Sequence, residues 1–339
     1  MSGRVYLDWN ATAPLRDEAR AAMMAALDAT GNPSSVHAEG RAAKAIVERA
    51  REDVAAAVGC RPAEVVFTSG ATEAAGVLAG LAVRVEPTAH DCLLAHERRG
   101  GAADVLAMGL ANGETGVIAA VPEKAAGRLM LDVVQAVGRV PFAFGWSGAD
   151  FAILSAHKLG GPKGIGALIL RDGVEVAPLL LGGGQEKGRR SGTENVAAIA
   201  GFGAAAKAAQ RDLDSGVWTQ VAALRDALEA QLLDAAPGVV IAGSAGPRLP
   251  NTSCIVSPGW KGETQVMQMD LAGFAVSAGS ACSSGKVRAS RVLKAMGFDD
   301  LAAGSAIRVS LGATTTEAEV WRFAECWLRH HQKFRARAA

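Results

Sequence analysis

A histidine and a lysine stand side by side after an apolar run, in the stretch SAHKLGGPKG that begins at Ser155. The preceding residues, Phe151 to Leu154, have the composition of a buried strand, and the glycines that follow indicate a tight turn. A lysine at such a junction is partly desolvated, which lowers its pKa and frees its lone pair. Lys158 is therefore a candidate for Schiff-base chemistry, although most lysines in turns are simply solvated.

Two further stretches carry residues that suit the same chemistry. Asp132 follows the apolar run Leu129 to Leu131, where a charge is costly unless it is paired. This aspartate suits a protonated ring nitrogen, or it caps a helix, which is the commoner role. The stretch FTSGATE, which begins at Phe67, reads as a strand, a glycine turn and a helix start. Backbone N–H groups at a helix start bind phosphate, although an ordinary capped helix has the same pattern.

These residues together meet the demands of one cofactor. Pyridoxal phosphate needs a lysine for covalent attachment, an acid at its pyridine nitrogen and a phosphate site. Gln135 can donate to the phenolic oxygen of the ring, and Ser155 and His157 offer further donors to the phosphate. We therefore predict pyridoxal 5'-phosphate as the cofactor. We expect no metal, because the sequence lacks the CxxC and paired-histidine spacings of zinc sites.

The elements that position these residues follow an alternating pattern. Apolar runs of strand length alternate with alanine-rich runs of helix length, which predicts an α/β fold with a mainly parallel sheet. Such sheets bind ligands at the carboxyl ends of their strands. In this part we expect strands at 65–67, 92–94, 129–131, 151–154 and 165–170 and a helix at 71–82. After a long helix over 193–232, broken near Ser215, we expect strands at 239–242 and 251–256 and helices at 262–271, 290–296 and 316–329.

This organisation predicts three regions. Residues 1–35 form an N-terminal arm that packs on the small domain, and residues 36–235 form a large cofactor-binding domain with its sheet flanked by helices. Residues 236–339 form a smaller α+β domain.

Composition excludes several classes of function. Lys plus Arg number 35 and Asp plus Glu 34, so no basic surface for nucleic acid or anionic membrane is indicated. No apolar run approaches the roughly 18 to 20 residues that span a bilayer. The start of the chain lacks an apolar signal-peptide core, and the five cysteines are scattered. We therefore expect a cytoplasmic protein without a disulfide framework.

The motifs together resemble the cysteine desulfurases, fold-type I pyridoxal-phosphate enzymes of aminotransferase class V. FTSGATE, DVVQAVG and SAHKLGGPKGIGAL occur in the order and spacing of that class. Five further stretches resemble cysteine desulfurase segments: YLDWNATAP, GNPSSVHAEGR, GGGQEKGRRSGTEN, VSAGSACSSG and AIRVSLGATTTEAEV. The resemblance covers nearly the whole chain, and it implies the fold of these transferases.

The resemblance also implies roles by position. Lys158 holds the cofactor and Cys282, in a glycine-serine loop, is the nucleophile that takes up sulfur as a persulfide. The implied cofactor contacts are Ala71, Thr72, Asn112, Asp132, Gln135, Ser155, His157 and, from the other subunit of a homodimer, Thr193. Arg308 binds the substrate carboxylate, a task that suits a bidentate guanidinium, and Asn32 helps to position it.

The segment that carries the ring-stacking histidine departs from the family pattern. His96, in LLAHERRG, is the candidate for this catalytic histidine, although Ala95 stands where the family has glutamate. The segment between His96 and Asn112 is shorter than in relatives. His90 is a rival for the same role.

The resemblance implies an enzyme that converts L-cysteine to L-alanine. Its persulfide sulfur serves iron–sulfur cluster or thio-cofactor assembly, with an acceptor or scaffold protein as partner. The alternatives are another class V enzyme, such as a selenocysteine lyase, an aminotransferase or an epimerase, and a non-catalytic scaffold or regulatory paralogue. Cys282 argues against a plain aminotransferase, which needs no such thiol.

Overall fold

The chain forms two compact units. The computed structural model describes residues 3–98, 103–123, 125, 127–279 and 289–338. One unit comprises residues 12–110 and 120–215, and we call it the lysine unit because it contains Lys158. The other comprises residues 1–11, 111–119 and 216–339, and we call it the arginine unit because it contains Arg308. The domain boundaries expected after residues 35 and 235 stay a prediction.

The lysine unit is built on one sheet. Numbered along the chain, its strands are β2 (Val65–Thr68), β3 (Val83–Val85), β4 (Val105–Gly109), β5 (Arg128–Asp132), β6 (Phe151–Ser155) and β7 (Gly166–Leu170). Their order is β2-β7-β6-β5-β4-β3. Strands β3 to β6 pair in parallel, whereas β7 is antiparallel to both β6 and β2. The other five strands therefore share one direction, and their carboxyl ends lie at the same edge of the sheet.

Helices of the lysine unit pack on each other through small residues. They are α1 (Asp17–Leu27), α2 (Ala38–Val58), α3 (Ala71–Ala75), α4 (Asp91–Leu94) and α5 (Val196–Asp214). The His37 side chain accepts a hydrogen bond from Gly40 N at the start of α2, and Gly59 ends α2 in the left-handed conformation. A Cβ on Gly203 of α5 would lie 2.6 Å from Ala50 Cα of α2. This close approach requires glycine.

Two elements of the lysine unit differ from the sequence prediction. The helix expected at 71–82 ends early, because α3 gives way to a short 3-10 turn over Gly76–Leu78. The strand expected at 92–94 is the helix α4, which His90 caps. A short apolar run does not distinguish a buried strand from one turn of buried helix, so this prediction was wrong.

The arginine unit contains two small sheets and five helices in the part that the structure describes. Strand β1 (Val5–Tyr6) pairs in parallel with β10 (Phe274–Ala275). The second sheet has the order β11-β12-β9-β8, all antiparallel. Its strands are β8 (Val240–Ile241), β9 (Thr252–Val256), β11 (Ser277–Ala278) and β12 (Ala306–Ser310). The helices are α6 (Val217–Ala235), α7 (Gly262–Leu271), α8 (Arg291–Ala295), α9 (Asp300–Ala303) and α10 (Glu317–Ala338).

The long helix predicted over 193–232 is present as α5 and α6, with its break at Ser215, and the helix predicted over 262–271 has the bounds of α7. Among the described residues, no helix combines the length and apolarity that crossing a membrane requires.

Candidate active site

Lys158 lies on a tight turn between two paired strands. It ends the 3-10 turn Ala156–Lys158, which follows β6 directly. Leu159 N and Gly161 N both donate to Ala156 O at 2.9 Å, and Gly160 takes the left-handed conformation that the turn requires. Because β6 and β7 pair residue by residue, the turn is fixed at both ends. The lysine is therefore presented at the carboxyl edge of the sheet.

Asp132 ends β5, the strand next to β6, at the same edge. Burial raises the pKa of this carboxyl above its ordinary value, while the N–H of Val134 and the positive charges of His90 and Lys158 act in the opposite direction. Val134 N donates to Asp132 Oδ1 at 3.0 Å. A partly buried carboxylate close to an amine and an imidazole is suited to holding a positive charge on a bound group.

The histidine that acts on Asp132 is His90. It follows β3 and caps α4, because its Nδ1 accepts a hydrogen bond from Cys92 N at 3.2 Å. With Nδ1 as an acceptor, the neutral ring carries its proton on Nε2. His96 lies beyond α4, its N donates to Leu93 O, and burial alone lowers its pKa. His90 is therefore close to Asp132, and His96 follows α4. The ring-stacking role of His96, with His90 as its rival, stays a prediction.

We expect His90→Asn to lower activity on L-cysteine by about 10²-fold, because general acid–base catalysis typically contributes 10²–10⁴-fold. Asparagine keeps an acceptor for the cap of α4, so the variant removes the imidazole with little effect on the helix. His96→Asn is the matched control and should stay near the wild-type rate. Initial rates of alanine formation measure both, and the opposite ranking would return the role to His96.

Gln135 is oriented by a buried arginine. Arg139 is 4% exposed and donates through Nη1 to the side-chain Oε1 of Gln135 and, at 3.1 Å, to its backbone O. Its Nη2 donates to the backbone O of Lys158 at 3.2 Å. With Oε1 committed to Arg139, the donor end of the amide is the end that can serve a ring oxygen. One guanidinium thus fixes both Gln135 and the turn of Lys158.

Arg139→Met should lower the free energy of unfolding by about 2 to 5 kcal/mol. The change removes the donor of the hydrogen bonds to Gln135 Oε1 and Lys158 O, and removing one partner of a buried hydrogen bond costs about 1–3 kcal/mol. Arg128→Met at the exposed start of β5 is the control. Urea unfolding of both variants measures the difference. Equal losses of unfolding free energy in the two variants would mean that Arg139 contributes no more to stability than the exposed Arg128.

The start of α3 forms the candidate phosphate cradle. Gly70 packs backbone to backbone against β7, since a Cβ on Gly166 would lie 2.7 Å from Gly70 Cα. Ala71 and Thr72 open the helix, and Ser155 Oγ lies 3.9 Å from where a Cβ on Gly70 would stand. Small residues therefore leave room for a bound group at the first turn, beside a buried hydroxyl.

An ion pair ties this cradle to the segment that carries Thr193. Glu73 accepts from Ser69 N at 2.8 Å, and its Oε1 lies 2.8 Å from Arg190 Nε. Burial alone would raise the pKa of Glu73, but the bonds from Arg190 and Ser69 hold it below its ordinary value. Thr193 itself is exposed.

His157 is a neutral donor at this edge. Burial, together with the nearby Lys158 and Lys163, lowers the pKa of His157 to about 4. Its Nδ1 lies 3.2 Å from Thr12 Oγ1. At neutral pH the ring therefore offers a hydrogen bond without a charge.

The arginine unit contains a second group of predicted residues around Arg308. Its Nη2 lies 2.7 Å from Asp8 Oδ1, and its Nη1 donates to Gly113 O at 3.0 Å. Its Nε is buried and has no hydrogen-bond partner in the described part of the chain. An oxyanion would complete this donor set, which fits a substrate carboxylate. Asn112 shapes the same turn, because its Oδ1 accepts from Glu114 N and Thr115 N, both at 2.9 Å.

Two predicted residues remain to be placed. Asn32 lies on the exposed surface of the lysine unit, where its Oδ1 accepts from Ser34 N at 2.9 Å. Cys282 lies outside the described residues.

Sequence reasoning missed Arg139, Asp8 and Glu114. Arg139 carries a weak signal, since it stands four residues after Gln135. Asp8 belongs to a quoted motif, YLDWNATAP, but its ion pair with Arg308 joins residues 300 positions apart. The sequence around Glu114, ANGETG, does not indicate that this carboxyl is buried.

The chain is similar to known proteins in both sequence and structure. The family model described as Aminotransferase class-V matches residues 5–97 and 95–323. The cysteine desulfurase of Cereibacter sphaeroides is 38% identical over 368 residues, which cover 95% of this chain and 94% of that protein. The cysteine desulfurase of Klebsiella pneumoniae is 39% identical and covers 94% of this chain and 90% of its own length. The solved NifS-like protein of Rickettsia africae ESF-5 superposes with a TM-score of 0.88 at 30% identity, over 96% of this chain and 99% of that chain.

The comparisons also show that this chain lacks residues that a relative has. The alignment with the Cereibacter protein is longer than the chain itself, so the relative has residues that this chain lacks. The family model matches in two pieces that meet at residues 95–97. This junction lies where the sequence predicted a shortening, between His96 and Asn112.

Proposed function

Since the chain belongs to the class-V aminotransferase family and, within it, to the cysteine desulfurases, we propose that it converts L-cysteine to L-alanine and passes the sulfur to its own Cys282. The observation that carries the proposal is the placement of Asp132, Lys158 and His90 at the carboxyl edge of one sheet, where Lys158 and His90 act on the Asp132 carboxyl. This cluster supplies an amine, a buried acid and an imidazole where such sheets bind ligands.

The cofactor of this family, pyridoxal 5'-phosphate, fits the residues of the lysine unit. Its ring nitrogen needs a buried acid, and Asp132 is one whose carboxyl already responds to the charges of His90 and Lys158. Gln135 and His90 would contact the ring, and Lys158 would hold the cofactor covalently. The phosphate would lie at Ala71 and Thr72, with Ser155 and His157 as further donors.

The residues of the chain divide the work of the reaction. When bound, the cofactor supplies a carbonyl carbon for the substrate amine and a ring that takes up the electron pair released at the substrate Cα. Lys158 removes and returns the Cα proton, because a partly desolvated amine is an effective base. His90 holds a proton on Nε2 at the ring face. Arg308 binds the substrate carboxylate, a task that suits its guanidinium.

Sulfur transfer balances without an added oxidant or reductant. The Cys282 thiolate attacks the substrate sulfur, an S–S bond forms and the C–S bond breaks with its electron pair going to carbon. One proton returned to carbon completes L-alanine, and the enzyme keeps a persulfide on Cys282. We propose that an acceptor or scaffold protein of iron–sulfur or thio-cofactor assembly then takes the persulfide sulfur. A reducing cytoplasm, which the scattered cysteines favour, suits such a carrier.

A homodimer completes the proposed site. Thr193 is exposed, and by the family resemblance it reaches the phosphate of the other subunit. Two large apolar side chains support a partner surface on the lysine unit: Val36 is 88% exposed and Leu181 is 87% exposed. Val36 lies in the family motif GNPSSVH, and Leu181 immediately precedes GGGQE.

Product analysis tests the proposed function. The purified protein, loaded with cofactor, is given L-cysteine with and without a thiol reductant, and alanine and sulfide are measured. We expect equal amounts of both with the reductant, and alanine limited to about one equivalent per site without it. Turnover of selenocysteine alone would indicate a selenocysteine lyase, and formation of 3-mercaptopyruvate an aminotransferase. No turnover by a loaded protein would indicate a scaffold.

A further inference from the structure

Glu114 is a buried acid that the chemistry described above does not use. Its side chain is 7% exposed, and it lies in the arginine unit at the turn that contacts Arg308. Its Oε1 is buried without a hydrogen-bond partner in the described part of the chain. A buried carboxylate oxygen in this state is costly, so its retention calls for a reason.

The unpartnered oxygen packs against Gly279. A Cβ on Gly279 would lie 2.0 Å from Glu114 Oε1 and 2.6 Å from Glu114 Cδ. No side chain other than hydrogen fits this spacing, and Gly279 has no left-handed backbone that would itself require glycine. Gly279 is the last described residue before residues 280–288, which contain Cys282. Glu114 therefore contacts the chain at the point where the thiol-bearing segment begins.

The same carboxyl contacts the point where that segment ends. The side chain of Ser290 is close enough to Glu114 to oppose the rise in the pKa of that carboxyl. Ser290 is 1% exposed, its N donates to Ala303 O at 2.9 Å, and its Oγ accepts from Leu293 N at 3.1 Å as the cap of α8. Ser290 is thus fixed to the arginine unit, and one side chain links the two sides of residues 280–288.

Charged and titratable groups face Glu114 from three neighbouring elements. They are Arg308 on β12, Arg291 at the start of α8 and the buried thiol of Cys254 on β9. Burial raises the pKa of Glu114 to about 7, although Ser290, Arg308 and Arg291 oppose the rise. The carboxyl therefore changes charge close to neutral pH.

We propose that Glu114 is a positioning residue for sulfur transfer, which holds Gly279 and Ser290 and thereby sets where the segment with Cys282 leaves and rejoins the arginine unit. The proposal rests on the proposed role of Cys282. It separates Glu114 from the residues that act on the substrate Cα, because Glu114 is in neither the Lys158 turn nor the Asp132 strand. A defect at Glu114 should therefore appear in persulfide formation and spare the earlier steps.

A pair of substitutions tests the contact. Gly279→Ala in the loaded enzyme should slow persulfide formation about tenfold or more, since small misplacements of reacting groups are costly. Glu114→Ala in the same chain makes room for the new methyl, so the double variant should recover part of the loss. Gly246→Ala is the control, because a Cβ there meets nothing within 4 Å. If the double variant forms persulfide no faster than Gly279→Ala, the contact between Glu114 and residue 279 is not the cause of the slow rate, and the proposal is overturned.

The charge of Glu114 gives a second, independent readout. Glu114→Gln mimics the protonated acid, so its rate should match the wild type at about pH 6 and fall about tenfold behind at about pH 8. The quantity compared is the ratio of the Glu114→Gln rate to the wild-type rate at each pH. Ionisation of Cys282 affects both rates and therefore cancels in this ratio. Glu229→Gln is the matched control: Glu229 is equally buried, pairs with Arg248 at 2.7 Å and also faces Cys254. A ratio that does not change with pH, or one that Glu229→Gln reproduces, would overturn the proposal.

Two further readouts separate this proposal from the proposed function. In the Glu114→Gln enzyme the cofactor absorbance change on adding L-cysteine should equal that of the wild type, and its loss would overturn the proposal. Alkylation of Cys282 by iodoacetamide without substrate, followed by mass spectrometry, should differ between Glu114→Gln and wild type at about pH 8 and agree at about pH 6. If the wild type makes no alanine yet alkylation shows this pattern, the function fails and the positioning role stands. Equal alkylation at both pH values would overturn the positioning role.

Discussion

Lys158→Ala should abolish desulfuration, with a loss of at least about 10³-fold, because one amine serves both as the covalent attachment point and as the base at the substrate Cα. The turn that carries it is fixed by pairing of β6 with β7 and by Arg139, which donates to the backbone O of Lys158. Neither contact involves the side chain, so the variant should fold. Two measurements apply: the rate of alanine formation, and the intact mass after borohydride reduction.

Lys163→Ala is the matched control for that experiment. Lys163 lies five residues further along the same glycine turn, and its side chain is exposed. The wild type and Lys163→Ala should each gain the mass of one reduced cofactor, whereas Lys158→Ala should gain none. A reduced adduct that persists in Lys158→Ala would show that another amine holds the cofactor.

Cys282→Ser should retain the colour of the bound cofactor and lose persulfide formation, with alanine production reduced by at least about 10²-fold. A serine hydroxyl is far less nucleophilic than a thiolate toward sulfur and cannot hold a persulfide. Trapping with an alkylating reagent and mass spectrometry of the peptide with position 282 gives the direct readout. Normal sulfide release by Cys282→Ser would remove this residue from the reaction.

Cys60→Ser is the control for the thiol experiment. Burial raises the pKa of Cys60 to about 12, and Glu64 adds to the rise while Arg61 opposes it. Cys60 is thus a partly accessible cysteine whose thiol stays protonated at neutral pH, and a protonated thiol is a poor nucleophile. We expect wild-type alanine formation from Cys60→Ser.

The strand ends that carry Lys158 and Asp132 were predictable from the sequence. Both follow apolar runs that are continuous, which is typical of strands buried on both faces. The direction of β7 was not predicted, although a signal was present. The connection between Ser155 and Gly166 is shorter than the dozen or more residues that a parallel crossover needs, so the pair forms a hairpin.

The two candidates for the ring-stacking histidine, His96 and its rival His90, follow different elements. His96 is the candidate that the family resemblance implies, and the apolar run 92–94 before it was expected to be a strand. In the structure the strand is β3, only three residues long, and His90 lies between it and the helix α4. Arg139 and Glu114 were missed because burial of a charged group depends on neighbours that the local sequence does not reveal.

Strand β3 also bears on how the protein behaves at high concentration. It is the last strand in the order of the lysine-unit sheet, and its central residue, Arg84, is exposed. An open edge of backbone donors and acceptors invites a strand from another molecule, which is a route to aggregation. With three residues and a guanidinium in the middle, this edge offers such a strand little to pair with. The sheet that carries Lys158 can therefore end at β3 without becoming a template for fibrils.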